Sequence, residues 1–128
     1  MFFLGIDFGQ KNIGVAYANS DITYPLEVIS NDKSTFEKIA QMVELYDVEV
    51  IIVGVVNSYG DSSISKQAQK FGNALAQFVG VKVEYFDENF SSKDAKIIAS
   101  ELGYKPRRKI DDVAAAVLLQ NYLDDKKN

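Results

Sequence analysis

The 128-residue chain contains no cysteine and no histidine, and only two prolines. Without cysteine there are no disulfides and no thiolate metal sites. Without histidine there is no Ser-His-Asp triad, no Cys-His dyad and no ordinary zinc site. An enzyme of this composition works with carboxylates, lysines, hydroxyls or a metal held by oxygen. No apolar run reaches the roughly 18 residues of a membrane helix. The N-terminus lacks a basic segment and a small-residue cleavage site, so it does not read as a signal peptide. The expectation is a cytoplasmic protein with no membrane partner. Basic residues are also in the minority: 14 against 18 acids, a formal charge of −4. This counts against strong nonspecific nucleic-acid binding, which rests on Lys and Arg. A local basic patch beside an acidic site is still compatible with it.

What is present is an apolar share of 47%, enough to fill a core. The length fits one domain over residues 1–128. The stretches at 2–8 (FFLGIDF), 12–19 (NIGVAYAN) and 25–30 (PLEVIS) read as three strands, the first two joined as a hairpin. Ser34 and Glu37 have the spacing of a capping box. Phe36, Ile39, Ala40 and Val43 continue at helical period. Residues 48–56 (VEVIIVGVV) are short and β-branched, as in a central parallel strand. Ile64, Ala68, Phe71, Leu75 and Phe78 form the next helical stripe, with Gly80 placed to end it. A fifth strand spans 81–88 and ends in two acids. Ser91 and Ser92 can cap a helix carrying Ala95, Ile98 and Leu102. The basic connector KPRRK (105–109) leads into a last helix over 110–123.

The order β-β-β-α-β-α-β-α-α predicts an α/β fold with a five-stranded mixed sheet and helices on both faces. The strand at 48–56 lies beside the first. The ribonuclease H-like fold has this arrangement.

Three acidic positions stand on separate elements. Asp7 ends the first strand; it either caps the Gly9 turn or is a carboxylate held for a cation. Asp87 and Glu88 end the fifth strand, beyond whose carboxyl end ligands gather in such sheets. Asp111 lies in the first turn of the last helix, where it either complements the macrodipole or joins the other acids. Hard cations such as Mg²⁺ take carboxylate oxygens. Two of them, about 3.5–4 Å apart, can serve phosphodiester hydrolysis without an imidazole. Acids gathered that closely would have at least one pKa raised until a cation relieved the repulsion.

The motifs at 4–16 (LGIDFGQKNIGVA), 51–56 (IIVGVV), 83–92 (VEYFDENFSS) and 110–123 (IDDVAAAVLLQNYL) resemble the YqgF/RuvX family. These are small ribonuclease H-like proteins described as Holliday-junction resolvases and as nucleases of pre-16S ribosomal RNA. The resemblance implies that Asp7, Glu88 and Asp111 are a catalytic, metal-holding triad for Mg²⁺ or Mn²⁺, with Asp87 able to share the role. It implies that Lys11 contacts phosphate; Arg107, Arg108 and Lys109 would position the nucleic-acid backbone beside it. The implied function is an RNA endonuclease in pre-16S rRNA processing. Alternatives are a resolvase of branched DNA, which would need two active sites, and a noncatalytic RNA-binding module. An actin-like nucleotide-binding domain is also suggested by residues 7–16, but 128 residues do not hold its second half. The family usually has Arg where this chain has Asn12 and Asn89, and Pro where it has Val56. Asn does not replace a guanidinium fork.

Overall fold

A computed structural model describes residues 1–20, 22–56, 63–88 and 110–127. Five strands are β1 (Phe3–Asp7), β2 (Asn12–Ala18), β3 (Thr23–Ser30), β4 (Val50–Val56) and β5 (Lys82–Glu88). The described helices are α1 (Thr35–Leu45), α2 (Ser63–Val79) and α3 (Ile110–Lys127). The helix expected after Ser91 and the connector 105–109 lie outside the described residues.

The sheet order is β3-β2-β1-β4-β5. β1, β2 and β3 form an antiparallel meander, and β1, β4 and β5 run parallel. The mixed sheet read from the sequence is therefore present, with the strand at 48–56 beside the first.

Alternation along the central strands sorts their side chains into two cores. Leu4, Ile6, Ile51 and Val53 pack with Ile39 and Met42 of α1 and with Ala68 and Leu75 of α2. Phe3, Val50 and Ile52 pack with Ala115, Ala116, Leu119 and Tyr122 of α3. β1 and β4 are thus apolar on both faces, as an interior parallel strand must be.

Four local readings change. β3 begins at Thr23, two residues earlier than expected. Pro25 is tolerated there because β3 is an edge strand, and the register shifts between Val15 and Ala16 of β2. β4 starts at Val50 rather than Val48, whose amide donates instead to the Val43 carbonyl (2.9 Å). The last helix continues to Lys127. The capping box does not form: Ser34 is the N-cap residue, with no capping bond from its side chain. Its amide and Oγ both donate to Asp32 Oδ1 (2.8 and 2.6 Å). The buried Thr35 ties the turn instead. Its Oγ1 donates to the Ser30 carbonyl and accepts from the Asp32 amide, both at 2.8 Å. Gly80 does end α2 as expected, with φ +73°.

Candidate active site

Asp7 is the last residue of β1, half-buried at the carboxyl end of the parallel strands. Its register partners are Gly14 on one side and Gly54 on the other. Paired residues point to the same face, so neither register partner brings a side chain of its own beside the carboxylate. The sequence carries a signal for this: a glycine inside a β-branched strand, as in β4, marks a close approach.

Gly5, two residues before Asp7, fixes which face this is. A Cβ at Gly5 would lie 3.0 Å from Leu119 Cβ and 3.1 Å from the Ala115 carbonyl oxygen. One at Gly54 would lie 2.5 Å from Leu118 Cδ2. The two glycines let α3 press directly on the sheet. Further down β1, Phe3 meets Tyr122 edge-on, with ring centroids 6.0 Å apart. So α3 runs antiparallel to β1, and its first turn points toward the Asp7 end. Four helical residues from Ala115 back to Asp111 rise about 6 Å. Two strand residues from Gly5 to Asp7 advance about 6.6 Å. Backbone position 111 is therefore level with Asp7, on the same side of the sheet.

Position 88 comes to the same edge by register. Asp7 pairs with Gly54, Gly54 with Phe86, and Val56 with Glu88. Glu88 is thus two residues further along its strand than Asp7, and two strands across. The two-residue period assigns position 88 to the face of Glu84 and Phe86, which meet Tyr122 of α3, and position 87 to the opposite face. The side chains of Asp87, Glu88 and Asp111 lie outside what the structure describes, as do Arg107, Arg108, Lys109 and Asn89 altogether. Among the described residues no three acids gather as a metal site. Asp7 is the one member of the expected triad whose side-chain burial is described. A half-buried strand-end carboxylate flanked by glycines, with two more acidic positions converging on it, is a donor set that suits a hard divalent cation.

The basic side of the site begins at the β1–β2 turn, which carries the exposed Lys11. Asn31 holds this turn: its amide donates to the Lys11 carbonyl (2.8 Å) and its Nδ2 to the Gly9 carbonyl (2.9 Å). Gln10 Nε2 donates to Gln67 Oε1 of α2 (3.3 Å). Asn12 is the exposed first residue of β2, at this same end. α1, α2 and α3 all begin at this edge, so their positive dipole ends face whatever binds there.

The opposite end of the α3–sheet contact is a lock. Tyr122 donates to Glu84, which also pairs with Lys82 (3.1 Å). The Tyr122 bond, and then the lysines, hold the Glu84 carboxyl below its ordinary pKa. Burial, then the Glu84 bond, pushes the Tyr122 hydroxyl up.

The RuvX family model, described as Holliday junction resolvase, matches residues 1–125. The chain belongs to the RuvX family. A relative from Chloroflexus aggregans, named "Putative pre-16S rRNA nuclease", is 35% identical over 98% of this chain and 94% of its own length. One of the same name from Thermoanaerobacter pseudethanolicus is 34% identical over 100% and 99%. Among solved structures, T. thermophilus RuvC in complex with a Holliday junction substrate superposes with a TM-score of 0.66. It is 18% identical and covers 100% of this chain and 96% of its own. That likeness carries the fold: this RuvX chain has the RuvC-like ribonuclease H architecture. Its family is one of nucleases.

Proposed function

We propose that the protein is a divalent-metal-dependent endonuclease that hydrolyses phosphodiester bonds in RNA, and that it acts in pre-16S rRNA processing. The observation that carries this is end-to-end likeness, at 34–35% identity, to relatives named for that activity. Residues 1–128 act in this reading as one nuclease domain in the cytoplasm; among the described residues no helix is long and apolar enough to cross a membrane.

Asp7, Glu88 and Asp111 would hold Mg²⁺ or Mn²⁺; Asp87, expected from the sequence to share the role, belongs by strand parity to the other face. When bound, the metal supplies Lewis-acid charge for phosphodiester hydrolysis. The chain's own part is placement. Asp7 is fixed by strand pairing on both sides, which holds a ligand more closely than a loop does. Lys11, exposed on a turn held by Asn31, would take a phosphate next to the scissile one. Arg107, Arg108 and Lys109 would hold the backbone on the α3 side.

The test is cleavage of a labelled pre-16S rRNA leader with Mg²⁺, Mn²⁺ or EDTA, comparing wild type with Asp7→Asn. Cutting that needs metal and disappears in the variant is the expected result. Equal activity in folded Asp7→Asn protein would remove Asp7 from the site. The family's description favours a second reading, hydrolysis at a branched DNA junction. A four-way junction in the same assay, with a sizing column, tests it: resolution in two symmetric cuts needs two active sites, so a strict monomer argues against it. Binding of RNA without cutting of either substrate would favour a noncatalytic module, with Asn12 and Asn89 as the cause.

A further inference from the structure

Between Asp61 and Glu84 the sequence contains no acid, although 18 of its 128 residues are acidic. That stretch is mostly α2. Its outward ridge carries Lys66, Lys70, Asn73 and Gln77, all exposed. The first two are one helical turn apart, so their ammonium groups stand side by side. The Gln10–Gln67 bond joins α2 to the β1–β2 turn with Lys11, and Asn31 joins that turn to the next, which carries the exposed Lys33. Lys33, Lys11, Lys66 and Lys70 therefore follow one another around the candidate site's edge, on segments bonded to each other. Among the described residues none of the four is in an ion pair. Asp32 is the acid within this arc, and its carboxyl oxygen is already engaged by the Ser34 amide and hydroxyl.

We infer that this arc is a phosphate track: a nucleic-acid strand leaving the site passes over the β1–β2 turn and down the outer ridge of α2. The inference rests on the nuclease reading of the same edge and adds the path of the substrate beyond it. It also accounts for how an acidic protein handles a polyanion. The α1 surface beside the arc carries Glu37 and Glu44, and α3 ends with Asp124 and Asp125, so α2 is the described helix whose outer face is free of negative charge. Asn73 shares its carbonyl oxygen with the Tyr85 hydroxyl (2.5 Å), which leaves its amide nitrogen for a phosphate or sugar oxygen.

The experiment measures binding of a labelled single-stranded RNA and a labelled DNA duplex over a salt series. Asp7→Asn protein is used so that nothing is cut. Lys66→Gln/Lys70→Gln is compared with Lys82→Gln/Lys126→Gln, which removes the same charge at the far end of the sheet. Each lost phosphate contact lowers the slope of log K against log salt by about 0.7 for single strands and 0.9 for duplex. The α2 pair is expected to lower it by about 1.4–1.8, and the control pair by none. In the cleaving protein the α2 pair should raise KM and leave kcat in place. Equal slopes in both pairs, with binding retained, would overturn the track and leave the nuclease reading standing. Loss of self-association with an unchanged slope would assign the ridge to a second copy and also overturn it. No binding by the parent protein would remove both.

Discussion

Asp7 is useful because of what stands beside it. Its register partners Gly14 and Gly54 carry no side chain, and Gly5 beneath it admits α3. Elsewhere single residues decide stability in ways their types do not announce. Ser34 has the spacing of a cap and does no capping; Thr35, one residue later, is buried with both its donor and its acceptor used. Thr35→Val should therefore cost about 1–3 kcal/mol, since it removes two part-buried hydrogen bonds at about 0.5–1.5 kcal/mol each. Ser34→Ala should cost well under half of that; urea unfolding of both variants makes the comparison. At the lock, Glu84 is held below its ordinary value of 4.5 chiefly by Tyr122. Near and below that value the native state holds fewer protons than the unfolded chain. The stabilisation is thus present above about pH 4.5 and is lost as pH falls through the lowered folded pKa. Tyr122→Phe should lose about 0.5–1.5 kcal/mol at neutral pH, and its stability should fall less steeply between pH 5 and 3 than that of wild type.

Elements meet through two glycines of different sensitivity. At Gly5 the atoms in the way are Leu119 Cβ and the Ala115 carbonyl, which belong to the body of the helix. At Gly54 they are the tip of Leu118, which can change rotamer. Gly5→Ala should therefore cost about 1–3 kcal/mol through overpacking, and Gly54→Ala less, although its contact is shorter. Gly5→Ala must also push α3 outward at Ala115, the turn next to its first. Its cleavage rate should fall by more than its melting temperature suggests, whereas Leu123→Ala, at the other end of α3, should lower stability with little change in rate. Thermal melts and initial rates on the same preparations separate these outcomes.

At the scale of the whole molecule, the proposed site brings acidic positions 7, 88 and 111 to one edge of the sheet, under a net charge of −4. Carboxylates held together without a counter-charge destabilise the native state. A cation that binds only the folded protein stabilises it by mass action. Mg²⁺ or Mn²⁺ should raise the melting temperature of wild type, EDTA should reverse the rise, and Asp7→Asn should show little of it. A rise of equal size in the variant would place the cation elsewhere.

Periodicity and strand-end chemistry made most of the fold legible. β4 announces itself by a β-branched run, β1 by an apolar one, and α2 by its apolar stripe with Gly80 after it. These are local properties, and a short-range pattern records them. Asp7, Glu88 and Asp111 could be singled out as residues of interest for the same reason: each stands at the end of an element. The early start of β3 and the length of α3 could not be read this way, because each depends on a partner far along the chain. The bond from Thr23 to Gln120 at 2.9 Å is one such partner. Sequence alone determined which residues could carry oxygen-ligand chemistry, since it offers no histidine and no cysteine. Only the tertiary structure decided that α3 lies antiparallel to β1, close enough over Gly5 and Gly54 to bring position 111 level with Asp7. That register is set by helix-to-sheet packing between segments a hundred residues apart, which no local pattern encodes.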